Sequence, residues 1–174
     1  MSTNLLPLSI IKRNPELQGR IEINQEHVSE LREVWRLSKE THRPIFPAIV
    51  VFKDNKGIYW LADGFHRCLA AELEEIEKID CEVRFGDQKE ALLYAAGANK
   101  KHGLKRNHGD KRKAVLILLN DPEWGMWEQE RIATHCGVTQ QYVSLIKKQV
   151  KGEDESMPSN ADVVGAPSGE RLIT

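Results

Sequence analysis

The chain has 174 residues, 40% of them hydrophobic and 29% charged, with a formal net charge of −1. That length suits one compact domain or two small ones, and the near-neutral balance means that a nucleic-acid partner has to be sought in local charge. Cys68, Cys81 and Cys136 are far apart, odd in number and without a C-x-x-C pair, which argues against a disulfide framework or a zinc site and for reduced thiols. No apolar run approaches the ~18 residues of a membrane span, and MSTNLLPLSIIKRNPE has neither the basic start nor the long apolar stretch of a signal peptide. A cytoplasmic protein without a membrane partner is expected.

In chain order, LPLSII (5–10) reads as a short strand before Asn14-Pro15. A helix follows from Asn24 as N-cap, with Val28, Leu31, Val34 and Trp35 three to four residues apart. AIVVF (48–52) is a β-branched strand, DNKG (54–57) a turn, and IYWLA (58–62) the returning strand of a hairpin. After ADGFHR (62–67), Leu69, Leu73 and Ile76 form one apolar helix face. IDCEVRF (79–85) alternates, with Ile79, Cys81, Val83 and Phe85 on the inner side of a strand with one wet face. Asp87 caps the next helix. From there the pattern is helical: Asp110 caps DKRKAVLILLN (110–120), Asp121-Pro122 breaks it, and residues 127–149 carry two short helices. The stretch from Lys151 to Thr174 is rich in Gly, Ser, Pro and acidic residues, and reads as disordered.

Those two short helices fit a helix-turn-helix at six positions. Ala133 is small where a second helix crosses closely, and Gly137 supplies the sharp turn. Ile132, Val138, Val143 and Ile146 are placed to hold the helices to their surroundings. Thr139 caps the second helix, leaving Gln140, Gln141, Tyr142, Ser144, Lys147 and Lys148 as outward candidates for DNA. Gln pairs with adenine, Ser and Thr reach bases or phosphate, and Lys serves phosphate. Upstream, NKKHGLKRNHGDKRK (99–113) holds seven Lys or Arg against one Asp. Lys105 and Arg106 lie in its centre. A solvated linker is the plain reading of such a run, but beside a helix-turn-helix it is the footprint expected for a phosphate backbone. His102 and His108 read as solvated histidines, and no metal site is expected.

The seam at 62–67 is the second candidate. A strand ends, Asp63-Gly64 turns the chain, and a helix begins whose free amides and dipole suit an anion. Gly64 permits close backbone approach, Arg67 offers a planar fork for phosphate oxygens, and His66 can donate a hydrogen bond or move a proton. Asp63 has three readings: helix cap, partner of His66, or ligand of a metal brought in with a nucleotide. The alternative for the whole segment is structural, with Asp63 capping, Gly64 turning, and His66 and Arg67 at the surface.

The order of elements around ADGFHRCLAAE, the Pro-rich strand RPIFPAIVVF, the helix EALLYAAGANKKHGL and the following helix-turn-helix together resemble the ParB/sulfiredoxin superfamily over roughly residues 5–150. The resemblance implies an α+β fold: a mixed ParB/sulfiredoxin-like domain followed by an all-helical one. It implies a pocket for the triphosphate of a cytidine nucleotide with magnesium, at Gly64, His66 and Arg67 in one box and Asn99 in a second. Ala98 stands where ParB proteins carry an acidic residue. Phe65 stands where sulfiredoxins carry the reacting cysteine, and Cys68 follows Arg67, so sulfiredoxin chemistry is not expected.

The expected organisation is a mixed domain at 1–98, a basic connector with the helix-turn-helix domain at 99–150, and an acidic tail at 151–174. The polar tail occupies the place of the ParB dimerisation domain, which favours a stand-alone DNA-binding regulator associated with a plasmid or chromosome; a homodimer is left open. The rival reading is a ParB-like, metal-dependent nuclease or nucleotide triphosphatase with Asp63, His66 and Arg67 as catalytic residues.

Overall fold

The computed structural model describes residues 3–41, 46–98 and 105–152. Asn99, the first part of the basic stretch and the acidic tail beyond residue 152 lie outside the described residues. The chain divides into two compact units, Met1–Ala98 and Asn99–Thr174.

The first unit is mixed. Strand β1 (Thr3–Pro7) leads through a single 3-10 turn (Leu8–Ile10) into the two-residue strand β2 (Ile11–Lys12). Helix α1 (Gln25–Thr41), the hairpin strands β3 (Ile49–Lys53) and β4 (Tyr59–Asp63), helix α2 (Phe65–Leu73), strand β5 (Lys78–Phe85) and helix α3 (Gln88–Gly97) follow. The sheet order is β1-β5-β3-β4-β2. β3 is antiparallel to β4 and parallel to β5, so the chain leaves the hairpin, crosses through α2 and returns on the other side of β3.

The hairpin is set by its turn. Asp54 accepts backbone N–H bonds from Lys56 and Ile58, both at 2.9 Å, and its second oxygen accepts from Trp60 Nε1 at 3.0 Å. These three bonds hold its carboxyl below the usual range against the opposing effect of desolvation. The central strand β3 is buried on both faces, which explains its unbroken apolar run. Ile49 and Val51 join Val28, Leu31, Trp35, Leu61, Cys68, Ala70 and Ala71 in one core cluster. Val50 and Phe52 join Leu17, Ala62 and Ala91 in the other. Helices α1 and α2 thus cover one face, and α3 with the turn at Pro15–Leu17 covers the other.

Two expectations for this unit are corrected. LPLSII is not one strand: the β conformation begins at Thr3 and ends at Pro7, and residues 8–10 form the 3-10 turn that separates two strands on opposite edges of the sheet. Phe85 is 85% exposed, because β5 ends there and no covering helix reaches it; Ile79 and Cys81 are the buried members of that strand.

The second unit contains α4 (His108–Asn120), a 3-10 turn (Trp124–Met126), α5 (Gln129–Cys136) and α6 (Gln140–Val150). Its buried residues include Ala114, Val115, Leu118, Trp124, Ile132 and Ile146. Asp110 is not the cap of α4. Asn107 caps it, accepting from Asp110 N–H at 2.7 Å, and the Asp110 carboxylate reaches back to Asn107 N–H at 3.0 Å in a capping box. Asp110 is only 1% exposed. Among the described residues no helix is long and apolar enough to cross a membrane.

The end of α2 is braced to α1 by charge. Arg36 and Arg32 converge on the buried Glu74 carboxylate, with Arg32 Nε to Oε1 at 2.7 Å and Arg36 Nη2 to Oε1 at 2.9 Å, and Lys39 reaches the Glu74 carbonyl. Arg13 forks onto Glu72 at 2.6 and 2.8 Å. The hydrogen bond from Arg36, then that from Arg32, holds Glu74 below the ordinary glutamate value of 4.5, and Arg13 does the same for Glu72. Carboxylates with depressed folded-state values contribute stability that is full above their unfolded value and lost as pH falls through the folded value. Denaturant-measured stability should therefore hold above the ordinary glutamate value and decline on further acidification. Glu74→Gln should be less stable at neutral pH and show a shallower acid decline; an unchanged slope would mean that the brace contributes nothing.

Candidate functional site

The seam at the end of β4 forms because Gly64 adopts a left-handed conformation (φ 104°) as the N-cap of α2. A Cβ there would lie 2.4 Å from Ile49 Cγ2 and 2.9 Å from Ile49 Cβ, in the central strand. Both the backbone conformation and the close packing on β3 therefore call for glycine. No side chain caps this helix start, so Asp63 is not the cap that one of the sequence readings offered.

Asp63 turns to Arg67 instead. Arg67 Nη2 donates to Asp63 Oδ2 at 2.8 Å, and Nη1 donates to the carbonyls of Ala48, at 3.1 Å, and Pro47. The two side chains are 17% and 22% exposed. The guanidinium expected to face an anion is thus closed on its own protein, tying the entry of β3 to the exit of β4. His66 is also engaged. Its Nε2 accepts from the backbone N–H of Asn24 at 3.1 Å, which places the proton of the neutral ring on Nδ1. Asn24 caps α1 by accepting from His27 N–H at 2.9 Å. His66 therefore supplies across space the reach-back bond that Glu90 and Asp110 supply within their own capping boxes. The His27 ring stands edge-on to His66 with centroids 5.5 Å apart.

Cys68, one turn into α2, is fully buried, and burial pushes its thiol up to about 12. A neutral thiol of this kind is not a nucleophile. A separate groove of about 610 Å³ lies at the opposite end of β4, lined by Asp54, Lys56, Trp60, Asp87, Lys89 and Leu92 among others; it contains no residue of the seam.

In the helical unit the turn between α5 and α6 is made by Gly137 in the left-handed conformation (φ 66°). Ala133, Ile132, Val138, Val143 and Ile146 are buried. Thr139 caps α6, accepting from Tyr142 N–H at 3.2 Å. Gln140, Gln141 and Lys148 are exposed, and Thr139, Ser144 and Lys147 are half-buried at the same helix. Tyr142 requires correction: it is 0% exposed and packs edge-on against the His108 ring at 5.5 Å, inside the unit. It sits four residues before Ile146 and shares its face.

The described part of the basic stretch is also more structural than expected. Lys105 is exposed, but Arg106 is half-buried and Arg112 donates to Gln149 Oε1 at 2.7 Å. Burial lowers the Lys113 value, with Asp110 opposing. Two features were not singled out from the sequence. Arg131 stacks 3.6 Å above the Trp127 ring, and Gln140 Nε2 donates to Gln129 Oε1 at 3.4 Å.

No family model matches the chain. Over 79 residues it is 32% identical to a Streptomyces griseus protein described as a streptomycin biosynthesis operon possible regulatory protein. The matched stretch is 45% of this chain but only 22% of that relative. The C-terminally truncated chromosome-partitioning protein ParB of Caulobacter crescentus, complexed to the centromeric parS site, matches with a TM-score of 0.57 and 21% identity over 84% of this chain and 71% of that one. The same truncated protein complexed with CTP-γ-S matches with a TM-score of 0.47 and 21% identity over 87% and 79%.

Substitutions at two positions probe these assignments. Gly64→Ala should destabilise by about 1–3 kcal/mol from overpacking alone, with backbone strain in addition, as read from denaturant unfolding. Tyr142→Phe should shift stability by less than about 1 kcal/mol, because its hydroxyl has no hydrogen-bond partner among the described residues. Tyr142→Ala should cost about 3–5 kcal/mol by opening a cavity. If Tyr142→Phe weakened DNA binding while the fold stayed intact, Tyr142 would be a contact after all.

The order of strands around β3, the glycine-led start of α2 behind the hairpin and the likeness to ParB over most of the chain lead to one conclusion: this α+β chain has the fold of the ParB/sulfiredoxin superfamily.

Proposed function

We propose that the protein is a ParB-like DNA-binding regulator that reads duplex DNA through α6. The observation that carries this reading is the α5–α6 turn. A left-handed Gly137, a buried Ala133 and four buried apolar contacts fix two short helices, and α6 begins with a capped end that exposes Gln140 and Gln141 and carries Lys147 and Lys148. Thr139 and Ser144 lie at the same helix, and Lys105 adds charge ahead of α4. Helix ends of this kind enter the major groove, where glutamine and lysine supply base and phosphate contacts. The description of the Streptomyces relative as a possible regulatory protein points the same way.

A second part of the proposal concerns the seam. The uncapped start of α2 and the guanidinium of Arg67 suit a phosphate of a nucleoside triphosphate, held with magnesium at Gly64, His66 and Arg67. A phosphate reaching Arg67 has to replace the Asp63 carboxylate that now occupies Nη2. The same exchange would free Asp63 for magnesium.

The test is duplex binding by fluorescence anisotropy across a salt series. With about four phosphate contacts, affinity should fall on the order of 100-fold between about 50 and 200 mM salt, and Lys147→Ala or Lys148→Ala should each reduce the log–log slope by about 0.9. A flat salt response would overturn the reading. Repeating the series with CTP or ATP and magnesium reads the seam: a nucleotide bound there should alter DNA affinity, and Asp63→Asn should change the nucleotide dependence. If neither nucleotide binds the wild type or Asp63→Asn, the seam serves only the fold.

A further inference from the structure

We infer that Arg84, on β5, is a stacking platform for the base of the nucleotide whose phosphates the seam would hold. The inference rests on the reading of the seam as a phosphate site. It adds the residue that favours a nucleotide over a bare chain of phosphates.

The sheet register brings the two places together. Val50 in β3 pairs with Asp63 on one side and with Glu82 on the other. Asp63 and Glu82 therefore stand in one row, two strand spacings or about 10 Å apart. Phe52 pairs with Arg84 and packs on Tyr94 of α3, with ring centroids 5.7 Å apart. The sheet face beneath α3 thus carries Asp63, the partner of Arg67, on β4, and Glu82 and Arg84 on β5. Burial raises the Tyr94 phenol above its ordinary value; Arg84 and Arg67 oppose that effect, and Asp63 and Glu82 add to it. The neutral ring lies within the field of both ion pairs.

Arg84 is held in one plane. Its guanidinium lies over the Tyr94 ring, 4.5 Å from the centroid. Along one edge, Nε donates to Glu82 Oε1 at 2.8 Å, and Nη2 stands 2.7 Å from the same oxygen. Tyr94 takes one face and Glu82 one edge. The side chain is still 38% exposed, which leaves the opposite face for a ligand. A guanidinium is flat, delocalised and weakly hydrated, and bases stack on its plane. Lysine at the same place would give a point charge without a plane. Because Glu82 already balances its charge, Arg84 is better suited to a flat neutral ring than to a phosphate. Phosphate donors at the seam and a flat stacking surface on the neighbouring strands together fit a nucleotide.

The experiment is calorimetric titration of the full chain, with magnesium, against CTP, ATP and base-free tripolyphosphate. Melting curves confirm that every variant is folded. Wild type should bind at least one of the nucleotides about 5- to 150-fold more tightly than tripolyphosphate, the range that stacking of one base supplies. Arg84→Ala and Arg84→Lys should both remove that advantage and leave tripolyphosphate binding unchanged. Arg84→Lys keeps the charge, so it separates the plane from the charge. Tyr94→Leu should reduce the advantage by withdrawing the support beneath the guanidinium, and Tyr94→Phe should retain it.

Retention of the advantage by either Arg84 variant would overturn the inference. So would an equal loss of nucleotide and tripolyphosphate binding, which would make Arg84 a phosphate ligand, or wild-type binding of tripolyphosphate as tight as that of both nucleotides. In each of those cases the seam remains a phosphate site. If wild type binds neither the nucleotides nor tripolyphosphate, the seam reading and the inference fall together.

Discussion

A guanidinium carries five N–H donors in one plane, and folding the mixed unit brings acceptors to it from two separate parts of the chain. The Pro47 and Ala48 carbonyls lie just ahead of β3, and the Asp63 carboxylate closes β4. Arg67, in the first turn of α2, joins them. The arrangement depends on Gly64, which turns the chain against Ile49 so closely that a methyl group would not fit. It is extended by His66, which completes the capping of α1 from another helix. The Asp-Gly-x-His-Arg segment thus fixes where the hairpin, α1 and α2 meet. A ligand is not required to explain any one of its residues, so a phosphate site here has to be a second use of a structural lock. The exchange of Asp63 for phosphate is the step that would make that second use possible.

Much of the fold was legible because the signals were local. The β-branched run of β3, the Asp54 turn and the returning strand form a hairpin whose chemistry lies within the consecutive residues 49–63. The pair of short helices α5 and α6 was legible because each of six positions answers a steric demand. Where the reading failed, the deciding partner was elsewhere in the chain or the local signal was misassigned. Two of the three acceptors for Arg67 lie nineteen and twenty residues upstream, and spacing within ADGFHR carries no information about those two. Alternation placed Phe85 on one side of β5 but could not reveal that nothing covers the strand's last residue.

Tyr142 and Asp110 were different, since the sequence did contain the signal. Tyr142 lies four residues before Ile146, on the apolar stripe of α6, so its ring belongs inside and not among the outward candidates. Asn107 and Asp110 form an N-x-x-D box, in which the first residue caps and the second reaches back; choosing the acidic residue as the cap shifted the start of α4 by three.

The helical unit leaves little of its last helix uncommitted. Most of α6 is committed to packing through Tyr142, Val143 and Ile146, and Gln149 near its end is bonded to Arg112. The exposed residues of α6 lie at its two ends, Gln140 and Gln141 in the first turn and Lys148 and Val150 in the last, and Thr139 satisfies a backbone amide at its start without drawing on either glutamine.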